Sequence, residues 1–101
     1  MINLVYNLNI RCKKCGSTIN INTTNRHFTS VEEERSLGYE TEHEYKKVMV
    51  CPDCGNHIEF IILVYEYPNN WYNCSDISGF GYFKDNIAET IDKISDIMNN
   101  I

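Results

Sequence analysis

Cys51-Pro52-Asp53-Cys54-Gly55, read together with Cys12-Lys13-Lys14-Cys15-Gly16, decides how this chain folds. In each stretch two residues separate a pair of cysteines, so the backbone can turn and bring both sulfurs toward one point. The glycine that follows tolerates the positive φ at which the turn's N–H groups aim at those sulfurs. With 35 residues between Cys15 and Cys51, the two turns together supply four thiolates, a full tetrahedral set for one zinc ion with no position left for a substrate. The spacing therefore predicts a structural zinc site made by Cys12, Cys15, Cys51 and Cys54.

Three other uses of these cysteines compete with that reading. A redox pair of the thioredoxin type occurs once and sits in a βαβ context, which is not found here. Disulfides belong to secreted chains, and residues 1–7 show neither a charged leader nor a long apolar run, so a reduced, cytoplasmic protein is expected. Two unconnected thiol pairs are the third alternative. The second turn, continued by Asn56, resembles the CPxCG knuckle of the zinc-ribbon class; the first has Lys13 where that pattern often has Pro. The resemblance covers the knuckles and their flanking strands. It implies two β-hairpins clasping one ion through the four cysteines, and it implies no reaction.

Outward from the knuckles the pattern is β. Ile2, Leu4, Tyr6, Leu8 and Ile10 alternate with mostly polar residues, and Ile19 and Ile21 alternate again after the first knuckle, which predicts a hairpin with Cys12–Cys15 at its tip. Residues 39–50 read as extended, with Glu40, Glu42 and Glu44 on one face and Tyr39, Thr41, His43 and Tyr45 on the other. The three aligned carboxylates form an acidic ridge, suited either to guarding a sheet edge or to meeting a basic protein surface. Residues 57–67 form the most apolar stretch and the expected central strand, stopped by Pro68. The polar run 24–38 reads as a loop with a short helical turn capped by Ser30 and boxed by Glu33.

Residues 68–83 read as an aromatic loop carrying Trp71, Tyr72, Phe80, Tyr82 and Phe83, most simply packed on the sheet, with Cys74 as a buried free thiol. Beyond it the period changes. Ile87, Ile91, Ile94 and Met98 fall on one helical stripe, widened by Ala88 and Ile97, with Asn86 and Glu89 as a capping box and Asp85 near the helix dipole. The stripe would dock on the sheet or, failing that, form a homodimer seam. The expected class is α+β, mainly antiparallel, in a single domain of residues 1–101: a two-knuckle ribbon at 1–67, the aromatic loop at 68–83 and a C-terminal amphipathic helix at 84–101.

Charge narrows the partners. The chain carries −5 overall, which argues against general phosphate affinity, yet residues 1–30 hold Arg11, Lys13, Lys14 and Arg26 with no acid, a local +4. Those four cations offset the thiolates of the first knuckle or offer a thin nucleic-acid face. No stretch is long and apolar enough for a membrane span. No phosphate loop or hydrolase motif occurs, and neither His27 nor His43 has a recognisable catalytic neighbour in the sequence, so no enzyme is expected. The leading expectation is a structural-zinc module that binds a protein partner; a nucleic-acid-binding ribbon is the alternative. Thirteen Asn and thirteen Ile point to an AT-rich genome, such as that of a low-GC bacterium or its phage.

Overall fold

The computed structural model describes residues 2–84 and 87–99. Strand β1 (Asn7–Cys12) pairs antiparallel with β2 (Thr18–Asn22), and the first knuckle forms the tip of that hairpin. After a single 3-10 turn at Asn25–His27 come β3 (Thr29–Arg35), β4 (Gly38–Val50), β5 (His57–Glu66), β6 (Tyr72–Phe80), β7 (Tyr82–Phe83) and the helix α1 (Ile87–Asn99). Two antiparallel sheets result, ordered β2-β1-β7 and β3-β4-β5-β6, and the second knuckle tips the β4–β5 hairpin. The expected α+β class is the one observed.

Alternation decides which side chains enter the core. Leu4, Tyr6, Leu8 and Ile10 on the first strand's inner side meet Ile58, Phe60, Ile62 and Val64 of β5 in one buried cluster. Aromatic rings run through it: Tyr6 to Phe28 at 6.3 Å, Phe28 to Tyr45 at 5.7 Å, Tyr45 to Phe60 at 6.4 Å and Phe60 to Tyr82 at 5.2 Å between centroids. Residues 2–6 continue the line of β1 by side-chain bridging. Thr23 Oγ1 donates to the Leu4 carbonyl at 2.8 Å and accepts the Tyr6 N–H at 3.0 Å, while Asn25 bonds the Leu4 N–H and the Ile2 carbonyl.

The helix seals one side of this core. Ile87 and Ile91 are buried, Ile94 and Met98 pack against the cluster, and buried Ser95 shares a 2.9 Å hydrogen bond with the Tyr6 hydroxyl. Asp92 accepts hydrogen bonds from Tyr72 and Ser75, which ties α1 to β6. Ile97 and Ala88, expected to widen the stripe, are exposed instead. The proposed cap residues Asp85 and Asn86 lie outside the described residues.

Three local expectations are corrected. The run 24–38 is not mainly a loop: Thr29–Arg35 is an edge strand registered on β4 from Thr29–Glu44 to Arg35–Gly38. Every residue of β3 is exposed, so it had no buried face to write an alternating pattern, and backbone pairing alone places it. Residues 72–80 and 82–83 are strands rather than loop, with a bend between them at Gly81 (φ 91°), where a Cβ would collide with the His57 carbonyl oxygen. Cys74, on β6, is exposed rather than buried.

Candidate metal centre

Both knuckles fold by the same local rule. In the first, the Gly16 N–H donates to the Cys12 carbonyl at 2.8 Å and the Cys12 N–H to the Ser17 carbonyl at 2.9 Å; in the second, Gly55 bonds Cys51 at 2.9 Å and Cys51 bonds Asn56 at 2.8 Å. Gly16 and Gly55 take φ of 79° and 75°, the left-handed region that the sequence demanded of them. Each hairpin therefore delivers two sulfurs from its tip, and pairing of the two tips makes four.

The four Sγ atoms lie within 4.8 Å of one another, with Cys12 to Cys54 at 3.6 Å and Cys15 to Cys51 at 3.7 Å. A tetrahedral ion with metal–sulfur bonds of about 2.3 Å has sulfur–sulfur edges of about 3.8 Å, so these separations fit one ion and are far too long for a disulfide. All five cysteines are free. His57, three residues past Cys54, is exposed and takes no place in the cluster. The arrangement can hold one metal ion, for which the four cysteines would supply a four-coordinate shell.

As thiols the four are unequal. Burial works against ionisation of Cys12, but the N–H groups of Cys15 and Lys14 outweigh it and bring its pKa down to about 6. Ser17, through its hydroxyl and its backbone, lowers Cys15. The Asn56 backbone favours the Cys54 thiolate, yet burial and the other three sulfurs push it up to about 12. Four sulfurs this close cannot all ionise alone, so a bound cation must displace the remaining protons. Around them, Asn56 Nδ2 donates to Cys12 Sγ at 3.7 Å and to the Gly81 carbonyl at 3.1 Å, and the Lys13 N–H reaches the same carbonyl at 2.9 Å. The first knuckle, the second knuckle and the β6–β7 bend thus share one acceptor.

The chain matches no protein-family model, no curated protein and no solved structure.

The cations of the first segment separate. Arg11 lies over the Phe83 ring at 4.9 Å, and Lys13 and Lys84 line a cavity of about 340 Å³ with Phe80, Tyr82 and Phe83 beside the first knuckle. Lys14 is exposed on the knuckle itself. Arg26 sits in the 3-10 turn whose Asn25 is bonded to Ile2 and Leu4, eight residues of extended chain from the cysteines, or about 25 Å. It does not join the other three.

Glu40, Glu42 and Glu44 do share one face, but β4 is an interior strand, so they guard no edge. They stand on the outer face of the four-stranded sheet, opposite Glu33, Val31 and Thr29 on β3. Arg35 holds Glu33 at 3.1 Å and Glu40 at 3.5 Å, relieving the like-charge pair, and Lys46 holds Glu59 at 3.0 Å.

One polar cluster went unread in the sequence. His43, which has no recognisable catalytic neighbour in the sequence, is buried with Ser30 Oγ 2.6 Å from Nδ1 and Glu66 Oε1 2.8 Å from Nε2. Burial opposes the charge on Glu66, but the bonds from His43, the Asn70 N–H and the Ile2 N–H together hold its carboxyl below the usual value. A signal existed: Glu66 continues the inward alternation Ile58, Phe60, Ile62, Val64, which buries a carboxylate and calls for a partner.

Proposed function

We propose that the protein is a zinc-fastened interaction module, with the outer face of β3-β4-β5-β6 receiving a basic protein surface. Four thiolates around one ion favour zinc over the harder divalent cations, and a filled shell leaves the ion a fastener. The observation that carries the docking reading is the composition of that outer face. Glu40, Glu42 and Glu44 flank a half-buried centre of Ile61, Leu63 and Tyr65, with Val31, Val48, Val50 and Phe80 exposed around it. Among the described residues the helix packs on the other side of the sheets, against β6 and β1. Apolar residues within an acidic surround suit a partner whose apolar anchors are ringed by Lys and Arg.

Metal analysis of the purified chain should give one zinc per molecule, lost in Cys51→Ser. Purification from the native host should then recover a basic protein with the wild type and not with the triple variant Glu40→Lys, Glu42→Lys, Glu44→Lys. Recovery undiminished by the triple variant would overturn the docking face. On composition alone, we place such a module among regulatory or phage–host conflict proteins of a low-GC bacterium or phage, acting in the cytoplasm.

A second reading rests on the cavity beside the first knuckle, where Lys13 and Lys84 stand with Phe80 and Phe83. Cations beside aromatic rings suit a single-stranded nucleic acid, phosphates on the lysines and a base on a ring. Binding to an oligonucleotide that falls steeply with salt, and is lost in Lys13→Glu with Lys84→Glu, would favour it; absence of binding at low salt would remove it.

A further inference from the structure

The cluster far from the cysteines has the layout of an activated nucleophile. Ser30, His43 and Glu66 come from three adjacent strands, β3, β4 and β5, and all face inward at the end of the sheet opposite the knuckles. Ser30 is directly registered on His43, and Glu66 is registered on Thr41, two residues along the same face. The hydroxyl reaches Nδ1 at 2.6 Å and the carboxylate reaches Nε2 at 2.8 Å. His43 is 1 % exposed and Glu66 4 %, whereas Ser30 is open to solvent. Buried base, buried carboxylate and accessible hydroxyl follow the order of a serine–histidine–acid triad, with the two ring nitrogens exchanging roles.

A cavity of about 130 Å³ adjoins them, lined by Ser30, Thr41, His43, Glu66, Asn69 and Asn70 together with Glu32. Its far wall is tied by two hydrogen bonds. The Asn70 N–H donates to Glu66 Oε2 at 2.7 Å, and Asn69 Oδ1 accepts the Tyr39 N–H at 2.8 Å. Glu66 is thereby fixed through both oxygens, and with it the tautomer that carries hydrogen on Nε2 and a lone pair on Nδ1 toward Ser30.

We propose that Ser30 is a nucleophile toward small acyl esters, with His43 as its general base and Glu66 as the residue that positions His43. The volume admits a short acyl group, and Glu32 beside it disfavours an anionic one. Ser30 Oγ bonds to the ester carbonyl carbon while its proton passes to His43 Nδ1. The bond from that carbon to the leaving oxygen then breaks, and the departing alkoxide takes the proton from Nδ1. Water adds to the acyl carbon, giving its proton to His43; the carboxylic acid departs and Ser30 Oγ recovers the proton. No oxidant, reductant or metal enters the balance. The activity is independent of the docking face, and its failure would leave that reading untouched.

The test is covalent labelling of the zinc-loaded chain with a fluorophosphonate, read by intact mass and peptide mapping, alongside release of p-nitrophenol from p-nitrophenyl acetate. One adduct on Ser30 is expected. Labelling should vanish in Ser30→Ala and slow at least tenfold in Glu66→Gln, in line with the roughly 10²–10⁴-fold worth of a positioned base, with circular dichroism and zinc content unchanged. Ser30 is exposed, so Ser30→Ala should fold as the parent does. No adduct on the folded chain, an adduct on another residue, or equal labelling of wild type and Glu66→Gln would each overturn the proposal.

Discussion

The two ends of the β4–β5 hairpin solve one problem in opposite ways. At the tip, four sulfurs that would repel one another as thiolates are gathered by two local turns, close enough to share one cation. About 30 Å along β5, a buried carboxylate and imidazole satisfy one another through a hydrogen bond set by strand register, with Ser30 completing the line. The tip is made of short-range sequence that gathers a metal-ligand set; the far end is made of long-range pairing and hydrogen bonds. Polar groups in a small core must be compensated either by an external ligand or by each other, and this chain does both at once.

Removing the ion should break the tip most completely. Structural zinc contributes about 10–16 kcal/mol apparent at neutral pH in finger-sized folds, against a net stability of about 5–15 kcal/mol for a typical domain. Chelation, or Cys51→Ser, is therefore expected to melt at least both knuckle hairpins. Circular dichroism and hydrogen exchange would check this, and an unchanged melting temperature after demonstrated metal loss would refute it. Exchange resolved by residue sharpens the comparison: amides of β5 near His57 should lose protection before those near Glu66.

The far end has its own breaking point. His43→Leu strips the buried Glu66 of its imidazole partner, and orphaning one member of a buried pair costs about 3–5 kcal/mol. Denaturant melts of the zinc-loaded variant should show that loss while the metal content stays at one. Loss of zinc alongside stability would mean that the two ends do not act separately.

These ends differ equally in how far the sequence disclosed them. Cys12, Cys15, Cys51 and Cys54 were legible because a turn and its ligands occupy five consecutive residues; the alternation of β1 and β2 was legible because one face of each is buried, and β5 was legible as an apolar run. Ser30 was hidden because β3 buries neither face, so its acids and Thr29 read as loop. His43 was placed on the face opposite the three glutamates, yet its partners lie 13 and 23 residues away in the chain, and the register of three strands joins them. The strand character of 72–80 was masked by polar residues on both faces, which pairing to β5 overrides.

Acid offers a milder probe of the far end. Because the folded Glu66 carboxyl titrates below its ordinary 4.5, its ionised form contributes stability that is complete above the unfolded pKa and is lost as pH falls through the folded one. Glu66→Gln keeps the shape and removes the charge. At neutral pH it should cost about 1.5–3 kcal/mol, the worth of a charge-assisted hydrogen bond, and the gap to the wild type should shrink steadily below about pH 4.5. A gap constant down to the acid limit would show that Glu66 is not ionised in the folded chain.

The finest test returns to the tip, where the Asn56 side chain touches both a ligand and the β6–β7 bend. Its Nδ2 donates to Cys12 Sγ and to the Gly81 carbonyl, so Asn56→Ala removes a donor from a thiolate and loosens the bend at once. Outer contacts of this kind are worth about 10–100-fold in metal affinity. The lower end, roughly tenfold, is expected, because the Lys13 N–H still holds the Gly81 carbonyl and the backbone turns that aim the sulfurs are untouched. Competition for zinc against a chromogenic chelator measures the ratio directly. An affinity equal to the parent's would mean that the knuckles alone define the site, and the tip would then be local in its entirety.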